Sequence, residues 1–257
     1  MKIEVVLAPN PGPFTGPGTN TWMVTSHGES VIIDPGPVIE SHIAVIRATV
    51  SSTEVRAVLV THTHPDHAPA ANRLAEDLGV PAIGSAAGPE FRPDRLIADG
   101  EGVGFGGLEA VCVTTPGHTP DSVCFRVRDA LFTGDHIMGG STVVVEEMSD
   151  YLESLRKLHS TGLESLHPGH GPVIDAPDAT IAEYISHRLE REGQILDAVG
   201  RGASSVGEIV VDVYRDVDSG LHPIAATSVA AHLEKLSFEG LVEIESEPTW
   251  DSEVLLR

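Results

Sequence analysis

The chain has 257 residues, 41% of them hydrophobic, and sets 16 Lys and Arg against 38 Asp and Glu, a formal charge of −22. That length suits one sizeable domain with an appendage. No apolar run reaches bilayer length and the start, Met1–Asn10, lacks the apolar stretch of an export signal, so the expectation is a cytoplasmic protein with no membrane partner. The acidity opposes attraction to a polyanion, and with lysine only at Lys2, Lys157 and Lys235 there is no compensating basic run.

Ile3–Leu7, Thr21–Thr25 and Ser30–Asp34 read as strands separated by Gly/Pro clusters, and Asp34-Pro35-Gly36-Pro37 closes the third. Ile39–Val50 has helical character. Arg56–Thr61 is a short apolar strand that runs into a His-rich loop, and Ala68–Leu78 follows as an amphipathic helix ended by Gly79. Strands are expected at Pro81–Gly84, Leu108–Thr114, Ser122–Val127 and Ala130–Thr133. A helix over Met148–Leu158 then precedes a strand-like Glu164–His167. Cys112 and Cys124 lie in apolar stretches outside any CxxC spacing and read as reduced core residues. Ala179–Val199 forms one long charged helix broken by Gly200-Arg201-Gly202. Helices at Ser205–Tyr214 and Ile224–Glu239 and two strand-like runs, Leu241–Glu245 and Glu253–Leu256, complete the outline of a winged helix. The boundary is placed near 200, giving a catalytic domain over 1–200 and a winged-helix-like domain over 201–257.

The strongest local signal is Thr61-His62-Thr63-His64-Pro65-Asp66-His67, at the end of a strand. Side chains two apart in extended chain point the same way, so His62 and His64 can converge on one ion. Pro65 breaks the strand direction, and the turn that follows can bring Asp66 and His67 onto a second. Imidazole and carboxylate suit zinc, with manganese or iron as competitors. A His-rich surface loop is the plain alternative, but four ligand-type residues within six positions after a buried strand argue against it. Further ligands are sought in similar strand-to-turn settings: His118 in Thr115-Pro116-Gly117-His118, Asp135 in Thr133-Gly134-Asp135-His136 and His170 in Pro168-Gly169-His170, each preceded by glycine.

In order, spacing and flanks, residues 20 to 172 resemble the metallo-β-lactamase fold superfamily. The resemblance implies an α/β (α+β) fold, an αβ/βα sandwich with the small winged-helix domain added. It implies His62, His64 and His118 on a first metal, Asp66, His67 and His170 on a second, and Asp135 bridging two Zn²⁺. The early Asp34 matches a residue that orients a ligand histidine; the plain reading is a strand-ending turn. The runs Asn20-Thr21-Trp22, Gly134-Asp135-His136-Ile137-Met138-Gly139, Tyr151-Leu152-Glu153-Ser154-Leu155 and Tyr184-Ile185-Ser186-His187-Arg188 are similar to the β-lactamase-like-protein-2 group. Its animal mitochondrial member is a single-strand endoribonuclease, and its fungal relatives are thioesterases on polyketide carriers. Antibiotic hydrolysis is set aside, because the exported enzymes commonly carry a cysteine where Asp135 stands.

The expected chemistry is attack by a metal-bridging hydroxide on an ester, thioester or lactone-type small molecule. Asp66 and His67 serve it primarily as ligands, Asp66 and the bridging Asp135 are counted among the catalytic residues, and His136 is a candidate for substrate contact or proton donation against a structural role. A phosphodiesterase or endoribonuclease on single-stranded RNA is the alternative, with short RNA kept open as a partner. Arg188 and Arg191 read as a helix surface salt-bridged to Glu190 and Glu192 rather than as an anion site. Phe14, Trp22 and Met138 either flank the cleft or belong to the core. A winged-helix DNA-binding regulator with a metal-sensing domain is disfavoured by its own charges: from Arg201 onward four bases face eleven acids, a net of −7. The segment reads instead as a lid or a homodimerisation element.

Overall fold

The computed structural model describes residues 1–140, 143–245 and 247–257. The chain groups into two compact units. One comprises Met1–Pro116, Asp121–Val143 and Ser160–Asp178; the other comprises Gly117–Pro120, Val144–His159 and Ala179–Arg257. The expected boundary at 200 follows sequence texture, whereas packing groups the long helix and the 144–159 segment with the C-terminal residues.

The first unit is built on two sheets. β1 (Lys2–Leu7), β2 (Asn20–Ser26), β3 (Glu29–Ile33), β4 (Glu54–Leu59), β5 (Ala82–Gly84) and β6 (Arg95–Leu96) lie side by side in chain order. Hairpin turns make β1–β2–β3 antiparallel, and the crossover helices α1 (Glu40–Val50) and α2 (Ala70–Leu78) make β3–β4–β5 parallel. The second sheet has the order β11 (Ser165–Pro168), β10 (Ala130–Gly134), β9 (Val123–Val127), β8 (Leu108–Thr114), β7 (Gly102–Phe105), with only β10–β11 parallel.

The period-2 rule decides which side chains meet. Trp22, Val24, Val31, Ile33, Ala57, Leu59 and Ile83 of the first sheet share one buried core with Val103, Phe105, Ala110, Cys112, Phe125, Val127 and Phe132 of the second. The residues between them in sequence, Met23, Ile32 and Val58, form the opposite face and pack with Ile43, Ile46 and Val50 of α1 and Leu74 of α2. Both faces of β2, β3 and β4 are therefore dry where they meet the site. Cys112 and Cys124 are buried and unbridged.

Two strands escaped the sequence reading. β6 has two residues, both exposed, so it carries no apolar pattern, and β7 is Gly-Val-Gly-Phe, in which glycines take the alternate positions. The other expected strands and helices of this unit are present to within about two residues at each end, the usual scatter of element boundaries.

In the second unit α3 (Met148–Leu158), α4 (Pro177–Gly200), α5 (Val206–Val213) and α6 (His222–Phe238) are joined by a two-stranded antiparallel ribbon, β12 (Val242–Glu243) and β13 (Leu255–Leu256). Ser205 caps α5 by accepting from the Glu208 amide, and Glu208 in turn accepts from Ser204 N at 2.8 Å. The ribbon is shorter than expected, because only Val242 and Val254 of the two runs are fully buried. Arg188 lies over the Tyr151 ring and Arg191 over the Tyr214 ring, while Glu192 pairs with Lys235 at 2.8 Å. Arg188 is buried rather than part of an exposed helix surface, and both arginines stack on aromatic rings. Lys235, the one lysine of α6, is bound to both Glu192 and Glu239. Among the described residues no helix is long and apolar enough to cross a membrane.

Candidate metal centre

β4 ends at Leu59, and the chain runs on through Thr61 to the His-rich loop at the edge of the two-sheet core. Here the tautomer of each histidine is set by what its second nitrogen touches. His67 Nδ1 lies 3.0 Å from Asp34 Oδ2 and must donate to it, which leaves the Nε2 lone pair pointing away. His170 Nδ1 donates to the Gly18 carbonyl at 3.2 Å, with the same result. Thr61 Oγ1 gives its hydrogen to Asp34 Oδ2 at 2.7 Å and so accepts from His62 Nδ1 at 3.1 Å, which makes Nε2 the ligand-type nitrogen of His62.

Those electron pairs converge. His67 Nε2 and His170 Nε2 stand 3.3 Å apart, each 3.3 Å from Asp135 Oδ1, and Asp66 Oδ2 lies 3.1 Å from His170 Nε2 and 3.5 Å from His67 Nε2. Beside them His62 Nε2 and His64 Nδ1 are 3.0 Å apart. The ligand atoms of Asp66, His67, Asp135 and His170 fall within 4.8 Å of one another, as do those of His62, His64 and Asp135, so Asp135 belongs to both groups. Lone pairs and carboxylates packed this closely repel unless positive charge, a proton or a metal ion, sits among them. The donor set of imidazole and carboxylate suits a zinc-class cation.

Without an ion, protons take that role. Burial pushes His170 down, but hydrogen bonds to Asp135 and Asp66 carry it up to about 9. Burial likewise opposes charge on His67, and the carboxylates of Asp135 and Asp34 raise it well above the usual imidazole range. Burial would lift Asp135, yet the facing His67 charge and the His170 hydrogen bond hold it well below the usual carboxylate range. A folded-state pKa above the unfolded value adds stability that is complete below about pH 6.5 and is lost as pH rises through about 9. The metal-stripped protein is therefore expected to unfold at lower urea concentration at pH 9.5 than at pH 6.5. The metal-loaded protein should lack the part of this pH dependence that His170 supplies. Equal dependence in both forms would contradict the assignment of His170 to the cluster.

Glycines solve two different local problems. Gly134 sits in the left-handed region, at φ +50°, where the β10–β11 register shifts, and a Cβ there would lie 2.4 Å from Thr61 Oγ1. Gly169 has no unusual φ; a Cβ at this position would sit 2.5 Å from His67 Cε1 and 2.6 Å from Asp135 Oδ1. Gly169→Ala is accordingly expected to displace two metal-cluster side chains and lower bound metal in elemental analysis. A variant with parental metal content and activity would show that the centre tolerates the methyl group.

The loop carrying His170 is held from β2. Asn20 Nδ2 donates to the carbonyls of Pro168 at 3.0 Å and Gly171 at 2.9 Å, and Trp22 Nε1 donates to Pro168 O at 3.0 Å. Trp22 is therefore a buried structural residue; Met138 is buried as well, whereas Phe14 is 61% exposed. Asp34 is 1% exposed and is more than a strand-ending turn, because it links Thr61 to His67. Sequence reasoning gave no positioning role to Thr61, Gly18 or Asn20, which act through a hydroxyl, a main-chain carbonyl and a side-chain amide and look like ordinary strand and loop residues.

His118 falls in the second unit, is buried, and donates Nδ1 to the Val144 carbonyl at 2.7 Å, which leaves Nε2 as its ligand-type nitrogen. His136 is also buried and lies in neither group.

Comparison with known proteins agrees with this geometry. The family model of the metallo-β-lactamase superfamily matches residues 14–170, and that of the β-lactamase-associated winged-helix domain matches 205–250. A β-lactamase-like protein 2 homolog of Caenorhabditis elegans is 31% identical, over 93% of this chain and 85% of its own. An atrochrysone carboxyl ACP thioesterase of Aspergillus chevalieri is 37% identical, over 84% of this chain and 74% of its own. The crystal structure of a metallo-β-lactamase family protein from Thermus thermophilus superposes with a TM-score of 0.81 at 19% identity, covering 99% of this chain and 98% of the other.

Proposed function

Because the chain belongs to the metallo-β-lactamase superfamily and is a metallo-hydrolase with that family's associated winged-helix domain, we propose that it holds two zinc ions and hydrolyses a small acyl ester, thioester or lactone. The first ion would be held by His62, His64 and His118, the second by Asp66, His67 and His170, with Asp135 shared. The observation that carries this reading is the pair of ligand groups that meet at Asp135. Manganese or iron are competitors for the same donors.

When bound, such a pair of ions brings the pKa of a water toward about 7 and polarises an acyl oxygen. The protein's part is orientation. Asp34 and the Gly18 carbonyl keep hydrogen on the Nδ1 atoms of His67 and His170, so Nε2 is the nitrogen each ring would present to an ion once its proton is displaced. Thr61 does the same for His62 through its hydroxyl. The dry faces of β2, β3 and β4 exclude water from behind the cluster. His136, enclosed beside Asp135, is given a supporting role at the same site.

Two observations favour a small acyl substrate over nucleic acid. Relatives at 37% and 34% identity are named acyl-carrier-protein thioesterases, and the chain's charge of −22 repels a long polyanion. The C-terminal unit is read as a lid or dimerisation element. As evidence against duplex binding, Lys235 of α6 is engaged by two glutamates. The test is a panel on zinc- and manganese-loaded protein: acyl-pantetheine thioester, aryl ester, acyl-homoserine lactone, bis-aryl phosphodiester, single-stranded RNA and a chromogenic cephalosporin. Turnover is expected for the acyl compounds, lost with chelator and restored by metal. Fastest turnover of RNA or of the phosphodiester would refute the substrate class, and undiminished turnover by metal-free protein would refute the metal.

A further inference from the structure

Resting on the two-ion reading above, the geometry points to Asp121 as a positioning residue for the first ion, its carboxylate fixing the backbone between His62 and His64. For both histidines to face one ion, the chain between them must stay extended, which turns the Thr61 and Thr63 amides sideways as in a strand. Up to Val60 neighbouring strands serve the main chain on both edges, as where Val60 N donates to Ile83 O at 2.9 Å and Leu59 O accepts from Asp34 N at 2.9 Å. Past β4 the amides of Thr61 and Thr63 are met by two carboxylates instead. Asp34 Oδ1 accepts from Thr61 N at 2.8 Å, and Asp121 Oδ2 accepts from Thr63 N at 2.9 Å.

Asp121 is itself anchored. The Ser85 hydroxyl, just beyond β5, donates to its carbonyl, and two residues on, Val123 N donates to Thr61 O at 2.8 Å. Residues 121–123 thus grip the chain on both sides of His62. The Thr63 side chain is wedged from the other side, because a Cβ on Gly88 would lie 2.5 Å from Thr63 Cβ. Asp121 belongs to neither ligand group, so its part is to hold the backbone that carries two ligands. Asp34, by contrast, reaches both groups, through Thr61 to His62 and directly to His67.

The prediction is selective. Zinc titration of Asp121→Ala against a chromophoric chelator should show one of the two ions bound roughly 10–100-fold more weakly and the other unchanged. Asp121→Asn retains an acceptor oxygen and should bind both as the parent does. Asp121→Glu keeps the charge but displaces the acceptor by a methylene, so it should repeat the selective loss and serves if the alanine chain fails to fold. In the metal-free protein, hydrogen exchange at the Thr63 amide should accelerate in the alanine variant but not in the asparagine variant. Equal weakening of both ions, parental binding by Asp121→Ala and Asp121→Glu, or an asparagine variant as damaged as the alanine one would each overturn the assignment. Failure of the parent itself to take up two ions would bring down the dinuclear reading instead, and this inference with it.

Discussion

On the proposed two-ion reading, Asp135→Ala is expected to strip the protein of both metal ions and to lower hydrolysis by more than about 100-fold, since changes to residues that merely support ligands already cost roughly 10–100-fold. Asp135 is the one residue common to both ligand groups, and its Oδ1 stands 3.3 Å from the Nε2 atoms of both His67 and His170. Its loss also removes the charge that raises those two imidazoles. Elemental analysis alongside steady-state kinetics checks the result. A variant that hydrolyses at the parental rate while free of metal would end the case for metal-dependent catalysis.

Asp34→Ala is expected to act on both activity and stability. Asp34 accepts from Thr61 N, Thr61 Oγ1 and His67 Nδ1 while 1% exposed. Alanine would leave the Thr61 amide and the His67 ring nitrogen without an acceptor, at about 1–3 kcal/mol for each buried donor. Position 34 also has φ +51°, a region that aspartate and asparagine enter more readily than alanine. The expected outcome is a lower urea midpoint and a 10–100-fold fall in metal affinity or activity, the range for residues that orient ligands. Asp34→Asn separates the two contributions. It tolerates the backbone and keeps one acceptor oxygen, but its amide hydrogens would face the donors on Thr61 or His67, so it should recover stability more than activity. Parental metal affinity in both variants would show that Thr61 and the main chain suffice to orient His62 and His67.

Much of this centre is written locally. The His62–His67 run combines an extended segment with a proline-broken turn, and the period-2 geometry of the extended part requires no distant information. The glycines before Asp135 and His170 can be read as sites of close approach, yet the reasons differ: Gly134 needs a left-handed turn, and Gly169 makes room for His67 and Asp135. The buried strands were legible because both of their faces are apolar, whereas exposed β6 and glycine-alternating β7 carry no such pattern.

What the sequence by itself determined is therefore the residue types of the candidate metal centre and the strand-to-turn settings that present them, since both depend on residues within a few positions of one another. Tertiary structure alone decided which groups hold the ligands in place: Asp34 on Thr61 and His67, the Gly18 carbonyl on His170, Asn20 and Trp22 on the loop before it, and Asp121 on Thr63. These partners lie 27 to 152 residues apart in the chain. A hydrogen bond requires about 3 Å between its atoms and is indifferent to the chain length that separates them. Closing both sheets around one core is what brings these residues within that distance.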